Sequence, residues 1–289
     1  MRKLLGVTLI AVSLLLTSCR LFDKEITDDS AVITKKYEVS NINCLQIKDI
    51  QIKQGGTYFG PSIYLKESNR SYVEVKTNEL INKKIKVECV NNELKIYGKR
   101  LETYVTKNIE VYIYGCSFDK IKLSNVKIEA DKTAFKNDNI DINLSGACKF
   151  NIEEINCNEL DLDISGATNV NISMLNTSNL NIDMSGASKI EINNLKADNA
   201  KAYLSGASKL KLAGSATKGE YYGSGASLFE LKDCSSNDVK LDLSGASDAY
   251  VSFKNSLKGS ISGSSEVIYY SDSNNVDIST SGGSDVKKG

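Results

Sequence analysis

The sequence contains no histidine, no tryptophan and only one proline. A serine or cysteine nucleophile usually depends on a neighbouring histidine base, so the lack of histidine argues against hydrolases of that class. The lack of histidine also removes a common zinc ligand, and the cysteines are too irregularly spaced to provide closely paired thiols, so a zinc site is not expected. We therefore expect the six cysteines that follow Cys19 to be buried free thiols. The scarcity of proline agrees with a repetitive β structure.

An excess of charge of either sign is lacking as well. The 36 Lys and Arg side chains balance the 36 Asp and Glu side chains. Without a basic field the chain has no electrostatic means of attracting nucleic acid, and we expect no nucleic-acid partner. The abundance of Asn, Ser, Asp and Ile is typical instead of β structure that exposes ladders of polar side chains.

Repeated Ser-Gly-Ala triplets dominate the second half of the chain. Successive copies lie 18 to 20 residues apart. A fixed period of about this length indicates a solenoid, in which each unit buries its apolar face only by stacking on its neighbours. The serines that open the copies are Ser145, Ser165, Ser185, Ser205, Ser224 and Ser244, with degenerate copies at Ser262 and Ser281.

Apolar residues alternate with polar ones around each triplet, as at Leu160, Leu162 and Ile164. Strict alternation predicts short strands with one buried face, and no part of the repeat has a helical period. The sequence therefore predicts an all-β fold, a single-stranded parallel β-helix or solenoid with coils of about 20 residues. The glycine suits a bend between strands, and the alanine suits a tight corner. A nucleophilic serine is the alternative, which the regular copying disfavours.

The amino terminus resembles the leader of a bacterial lipoprotein. Arg2 and Lys3 precede an apolar run that ends at Leu16 and is too short for a transmembrane helix. The Leu-Thr-Ser-Cys that follows resembles a lipobox, which implies cleavage after Ser18 and a lipid on Cys19. The membrane would then be a partner, contacted through the lipidated N-terminus. An ordinary signal peptide with an incidental cysteine is the alternative.

These patterns divide the chain into three segments. Residues 1–18 are expected to form the signal peptide, and residues 19–36, which are charged and aperiodic, a tether. The fold is expected to occupy 37–289 as one domain, with irregular coils over 37–130 and regular coils over 131–289. Terminal units of solenoids are commonly atypical because they cap the stack.

The repeats resemble the head GIN domain family, adhesin-like lipoproteins common in Bacteroidota. The resemblance rests on tandem L-x-L-SGAS-x-[ILV]-x-[ILV] units between Ile140 and Val251, and on the closing SGSSEVIYY and VDISTSGGSDV. It rests also on the upstream VNNELKIYG, a pattern typical of a hairpin with an Asn-Asn turn. The resemblance implies a right-handed parallel β-helix, an adhesin-like role and a place in the cell envelope at the outer membrane. It brings no catalytic residue and no defined ligand to this chain.

One outward column of the repeat carries carboxylates followed by tyrosines. If successive coils stack in register, Asp161, Asp163 and Asp183 share one face with Tyr203 and Tyr222. Carboxylates one coil apart can serve retaining glycosidases, and with further oxygen ligands they can hold calcium. Tyrosines on such a face can stack against a sugar ring. The alternative is a solvated surface on which these side chains only cover their neighbours.

Three functions fit these observations. The first is a membrane-anchored, adhesin-like binding module whose ligand is a glycan or a protein of the host or envelope. The second is a β-helix enzyme that acts on polysaccharide through surface aspartates, and the third is a purely structural envelope protein. The lack of histidine and of a unique acid pair favours the first. We therefore expect no enzymatic activity and no cofactor, with calcium as the alternative.

Overall fold

The computed structural model describes residues 26–54, 57–98, 101, 104–105 and 109–289. Helical structure among these residues is confined to Glu79–Asn82 (α1) and one turn of 3-10 helix at Lys132–Ala134. Neither segment combines the length and apolarity needed to cross a membrane. The strands are Ile26–Thr27 (β1), Val32–Glu38 (β2), Cys44–Lys48 (β3), Ile52–Gln54 (β4), Thr57–Phe59 (β5), Ser62–Lys66 (β6), Tyr72–Asn78 (β7), Ile85–Val90 (β8), Glu93–Gly98 (β9), Tyr104–Val105 (β10), Glu110–Tyr114 (β11), Lys120–Ser124 (β12), Lys127–Ala130 (β13), Asn139–Ser145 (β14), Lys149–Asn156 (β15), Glu159–Ile164 (β16), Asn169–Met184 (β17), Lys189–Leu204 (β18), Lys209–Gly223 (β19), Leu228–Leu243 (β20), Asp248–Ile261 (β21), Glu266–Tyr270 (β22), Val276–Thr280 (β23) and Asp285–Lys288 (β24).

From β14 onward the chain forms a solenoid of stacked parallel coils. The strand segments before each corner pair in register, so that Asp163 lies opposite Asp183 and Tyr203 lies opposite Tyr222. The register shifts beyond the corner in the later coils, for instance between Lys211 and Gly214. Strands β17 to β20 are long because they follow the coil around a bend instead of ending at it. The predicted all-β parallel solenoid with coils of about 20 residues is confirmed.

The Ser-Gly-Ala triplet forms the corner of each coil. Gly186 has φ +77°, a conformation that other residues rarely adopt, and a Cβ there would lie 2.5 Å from the carbonyl oxygen of Gly166. The amide of Ala187 donates to that same carbonyl at 2.8 Å. The next residue, Ser188, is buried and donates its hydroxyl to Ser185 O at 2.9 Å. Each part of the motif therefore has a structural role.

The core lies inside the coils, where the inward residues of successive strands stack. In β16 the inward side chains of Leu160, Leu162 and Ile164 are buried, and burial of such a side chain contributes about 1.5–3 kcal/mol. In β19 the aliphatic pattern is interrupted by Gly219 and Tyr221. The Tyr221 ring fills the space that Gly219 leaves, since a Cβ on this glycine would lie 2.6 Å from the ring. Burial raises the pKa of Tyr221.

The N-terminal part continues the stack and closes it with antiparallel strands. β3 and β12 lie in parallel register with β14, whereas β2 pairs antiparallel with β7, and β8 with β9. The β8–β9 hairpin turns at Asn91 and Asn92, both with positive φ, as the Asn-Asn turn predicts. β2 begins at Val32, so strand structure starts before the expected end of the tether at residue 36, because this charged segment pairs as an edge strand.

The six cysteines of the described residues are free thiols, but only two are buried. Cys148 and Cys234 are buried, and burial raises the pKa of Cys234 to about 11. Cys89 is exposed, contrary to the expectation, because β8 pairs with β9 alone among the described strands and so lies at the edge of the sheet. The predicted lipidation residue Cys19 lies outside the described residues.

Candidate ligand-binding groove

The predicted ligand residues lie on the strand segments that precede each corner. Their outward side chains form a surface that we call the groove face. Because the coils stack in register, the face contains one straight column of side chains, as the repeat predicts for its central part. From the N-terminal end this column consists of Gln46, Lys122, Asn143, Asp163, Asp183, Tyr203, Tyr222 and Asp242.

A shallow groove runs along this face, parallel to the axis of the solenoid. It consists of three depressions of about 320, 370 and 190 Å³. The first two meet at Asp163, and the second and third share Asp183 and Tyr203. Between Gln46 and Tyr222 the groove crosses seven strands, which corresponds to about 29 Å at the usual spacing of neighbouring strands. The groove is therefore long and narrow enough to hold an extended ligand.

The middle of the groove is formed by the three predicted carboxylates. Asp161 accepts a hydrogen bond from Asn181 Nδ2 at 2.8 Å. Asp163 and Asp183 are exposed, and neither carboxylate forms a hydrogen bond or ion pair with another described side chain. Among the residues that the structure describes, no three His, Cys, Asp or Glu side chains are grouped so that they could hold a metal ion. The two unpaired carboxylates thus face solvent in the floor of the groove.

The predicted tyrosine pair forms a step at the end of this floor. The rings of Tyr203 and Tyr222 are stacked, with centroids 4.7 Å apart and an interplanar angle of 13°. Lys201 Nζ lies 5.0 Å from the Tyr203 centroid and 6.0 Å from the Tyr222 centroid, which places it beside the stack and not on its outer surface. The ring face of Tyr203 that is turned away from Tyr222 lies toward Asp183 on the preceding coil. It is open, since Tyr203 is 43% exposed and lines the same depression as the shorter side chain of Asp183.

Beyond the tyrosine pair the charged side chains are paired with one another. Tyr222 donates its hydroxyl to Glu220 Oε2 at 3.3 Å, and Lys240 Nζ lies 3.2 Å from Asp242 Oδ2. Lys218 forms an ion pair with Glu220 and thereby lowers the pKa of that carboxyl. Lys240 Nζ also donates to the Tyr222 hydroxyl at 3.4 Å and lies 5.1 Å from the ring centre, so this cation sits at the hydroxyl end of the ring.

The repeat did not reveal the N-terminal part of the groove, at Gln46 and Lys122. Its two coils lack a glycine corner, and Asp49 and Asn125 occupy that place with φ of +56° and +54°. Asn and Asp adopt this conformation more readily than other non-glycine residues. Asn125 Oδ1 also accepts a hydrogen bond from the amide of Ala147 at 2.9 Å, as a glycine carbonyl does in the regular coils. The signal in the sequence for this part of the groove is therefore an Asp or Asn at the corner position that glycine occupies in the regular coils.

A family model spans most of this architecture. The model described as "Putative auto-transporter adhesin, head GIN domain" matches residues 59–207 and 170–273, well over half of the chain. The chain belongs to this family. The resemblance of the repeats to the head GIN domain family is thus confirmed. Membership of this family supports an adhesin-like binding module located in the cell envelope or outside the cell. A comparison with curated proteins gives no match.

Solved structures share the fold along most of the chain. A "putative adhesin" from Parabacteroides merdae is 17% identical, with 91% of this chain and 98% of that chain covered and a TM-score of 0.68. A "putative lipid binding protein" from Parabacteroides distasonis is 17% identical, with 92% and 100% covered and a TM-score of 0.62. A "putative adhesin" from the same species is 15% identical, with 91% and 99% covered and a TM-score of 0.60. At these identities the likeness establishes the fold alone.

Proposed function

We propose that this head GIN domain protein is an outer-membrane lipoprotein, anchored through Cys19, that binds an extended glycan along its groove face. One observation carries the proposal. The open face of the Tyr203 ring borders a depression whose floor holds the unpaired carboxylates of Asp163 and Asp183. The family's adhesin-like description supports a binding role in general.

A sugar ring matches both parts of this arrangement. Its C–H face packs against an aromatic ring, which supplies a large rigid apolar surface. Its hydroxyls donate to carboxylates, and hydrogen bonds to an ionised acceptor are stronger than neutral ones. A ring seated on Tyr203 would direct its hydroxyls toward Asp183 and Asp163, which lie on the next two coils. Apolar surface with a few placed polar groups is typical of ligand sites.

The length and charge of the groove narrow the class of glycan. A groove that crosses seven strands favours a polymer over a monosaccharide, because each coil can contact a further part of the chain. The groove is lined by three lysines (Lys48, Lys122 and Lys201) and three aspartates (Asp161, Asp163 and Asp183), so it has no net charge that would attract a strongly charged glycan. The two unpaired carboxylates in its middle would repel a uronic acid or sulfated sugar seated beside them. We therefore propose a neutral polysaccharide that lies along the axis of the solenoid.

Binding without turnover is the proposed outcome. A retaining glycosidase needs one carboxyl that acts as an acid and a second that acts as nucleophile, and the two require different environments. Asp163 and Asp183 occupy equivalent places on successive coils and both are exposed to solvent. Their equivalence favours a pair of hydrogen-bond acceptors over an acid and a nucleophile.

Anchoring through Cys19 is a separate part of the proposal. The Leu-Thr-Ser-Cys sequence supports it, and several acyl chains on one residue would hold the protein firmly at a bilayer. The mass of the N-terminal peptide from cell membranes should show the acylated cysteine. A Cys19→Ala chain should lose the modification and leave the membrane fraction. An unmodified Cys19 in the membrane-bound protein would rule out this anchor.

The glycan proposal is tested by affinity electrophoresis of the detergent-solubilised full chain through immobilised neutral and acidic polysaccharides. Tyr203→Ala should weaken retention by about fivefold to tenfold, since a stacking aromatic at the centre of a site contributes on the order of 1 kcal/mol or more. Reducing-end assays on the same glycans would detect turnover. Released oligosaccharide would show an enzyme and contradict the proposal of binding alone.

The chain offers a matched control on another part of its surface. Tyr64 and Tyr112 are stacked with centroids 4.8 Å apart and an interplanar angle of 17°, nearly the geometry of the groove pair. They lie on strands β6 and β11, outside the groove. Tyr64→Ala should leave retention unchanged. Equal losses in Tyr64→Ala and Tyr203→Ala, or no loss in either, would contradict the assignment of the groove.

A further inference from the structure

The stacked tyrosines of the groove face stand across the direction of the groove. Tyr203 and Tyr222 lie opposite each other on neighbouring coils, and their ring centroids are 4.7 Å apart, which matches the usual spacing of neighbouring strands. The two nearly parallel rings are therefore stacked along the axis of the solenoid. Because the groove runs along that axis, the rings form a wall across it and not a floor beneath it.

The wall is held from behind. Tyr222 donates its hydroxyl to Glu220 Oε2 at 3.3 Å and accepts a hydrogen bond from Lys240 Nζ at 3.4 Å, so the hydroxyl end of this ring is fixed. Tyr222 in turn supports one face of the Tyr203 ring. A platform that is already fixed loses little conformational freedom when a ligand packs against its open face, which favours binding.

The space in front of the wall has one wide exit. It is the second depression, of about 370 Å³, and it is bounded by the Tyr203 ring, by Asp183 in the floor and by Lys201 at the side. Toward the N-terminal end it meets the first depression, of about 320 Å³, at Asp163. Past the rings the third depression continues along the corner residues, and at about 190 Å³ it is close to half the size of the second. The wider path for a chain of sugar rings thus leads from the wall toward the N-terminal end.

We propose that the space in front of Tyr203 receives the terminal ring of a neutral polysaccharide, so that the protein recognises a chain end. The inference rests on the proposed glycan binding and specifies which part of the polymer is bound. A sugar packed against the open face of Tyr203 also lies across the axis, because packed rings are parallel. An internal sugar carries neighbours at two of its edges, and in this space one of them would have to leave the groove into solvent. A terminal sugar needs only the exit toward Asp163.

The chemistry of the space agrees with a terminal ring. Such a ring keeps a hydroxyl that an internal ring uses in its glycosidic bond. Asp183 forms no hydrogen bond or ion pair with another described side chain, and Lys201 forms no ion pair with a described carboxylate. Neighbouring hydroxyls of one ring can donate to the Asp183 carboxylate and accept from the Lys201 ammonium, and hydrogen bonds to charged groups are the stronger ones. The additional hydroxyl of a chain end therefore has partners in this space.

Competition with size fractions of one polysaccharide tests this inference, because shorter fractions contain more chain ends per gram. Linear neutral glucans and mannans, each prepared as a series of size fractions, would compete with the immobilised polysaccharide for the detergent-solubilised full-length protein. Fractions whose chains are about tenfold shorter, but still longer than the groove, should inhibit retention about tenfold better per gram, since each end offers one site. Equal inhibition per gram would show binding to chain interiors and would overturn the end recognition while glycan binding stands. No retention on any neutral polysaccharide would overturn both.

A second measurement locates the bound end. The chain contains no tryptophan, so Tyr203→Trp introduces its only indole and keeps an aromatic ring in the wall. Short oligosaccharides of the bound series should shift the emission of Tyr203→Trp to shorter wavelength, since stacking removes water from the indole, and should leave that of the control Tyr64→Trp unchanged. Equal shifts in both variants, or none in a Tyr203→Trp protein that still binds the oligosaccharide, would overturn the position of the end. Opening the reducing-end ring with borohydride distinguishes the two ends of the chain, because it abolishes the shift if that end is bound and preserves the shift if the other end is bound.

Discussion

The solenoid presents two long faces that have the same backbone arrangement but differ in whether their charged side chains form ion pairs. On the face formed by the strands after each corner, Glu191 pairs with Lys211 at 2.7 Å and with Lys189 at 3.2 Å. Lys209 pairs with Glu230 at 2.7 Å on the same face. We call this the ion-paired face. The middle of the groove face, by contrast, leaves neighbouring carboxylates without a cation, an arrangement that stability alone does not explain.

Stacked tyrosines on both surfaces sharpen this comparison. Tyr64 and Tyr112 are half-buried, and burial raises the pKa of Tyr112 to about 12. Tyr203 is 43% exposed and its free ring face borders the unpaired carboxylates. Stacking by itself is thus a consequence of in-register tyrosines on neighbouring strands. The combination of an open ring and unpaired carboxylates in a groove is what distinguishes the candidate site.

The largest predicted effect concerns the corner, which both faces share. Gly186→Ala should lower the free energy of unfolding by at least about 2 kcal/mol. Alanine is strained at the positive φ of this position, and its Cβ would collide with the carbonyl oxygen of Gly166 on the preceding coil. Urea unfolding followed by circular dichroism measures the change.

Gly283→Ala is the matched control for the corner substitution. Gly283 is not in the left-handed region, and a Cβ there would make only ordinary contact at 3.6 Å. We expect a change within about 0.5 kcal/mol, as for most surface substitutions. If both variants unfolded at the same urea concentration, the glycine would not be required by the corner.

The register of both faces could be predicted from the sequence because alignment on the repeated triplet fixes which residues stack, even where the period shortens from 20 to 18 or 19 residues. The place of Asp163 opposite Asp183 follows from that period alone. The pairing of charges could not be predicted, since it depends on how long side chains such as Lys211 cross from one coil to the next. The open face of the Tyr203 ring could not be predicted from the sequence either, because it depends on where Lys201 lies beside the ring.

An intermediate effect is predicted for the two groove carboxylates. Asp163→Asn combined with Asp183→Asn should weaken retention on a neutral glycan by about tenfold to thirtyfold. Asn keeps an oxygen acceptor, so each change loses only the difference between a hydrogen bond to a charged group and one to a neutral group, on the order of 1 kcal/mol. The free energy of unfolding should stay constant or rise slightly, because like charges on neighbouring strands no longer repel. Affinity electrophoresis and urea unfolding of the same protein measure the two quantities.

The ion-paired face supplies the control for this prediction. Glu191→Gln should leave glycan retention unchanged and should lower the free energy of unfolding slightly, because it weakens the pairing with Lys189 and Lys211. The two faces would then respond in opposite ways. A loss of retention in Glu191→Gln, or a loss of stability in the Asp163→Asn, Asp183→Asn chain, would contradict the division into a binding face and a structural face.

The smallest effect is the pH dependence of that stability difference. The hydrogen bond and ion pair with Lys211, and then those with Lys189, hold the pKa of Glu191 below its ordinary value of 4.5. A carboxyl whose pKa is lowered by folding stabilises the folded state above its unfolded pKa, and this contribution is lost as the pH falls through the folded pKa. The difference between wild type and Glu191→Gln should therefore be present near neutral pH, below about 1 kcal/mol, and should shrink as urea unfolding is repeated at decreasing pH below 4.5. Lys211→Gln should reduce the same pH dependence, since it removes the main cause of the lowered pKa. A difference that stayed constant or grew in acid would show that Glu191 stabilises the face through packing and not through its charge.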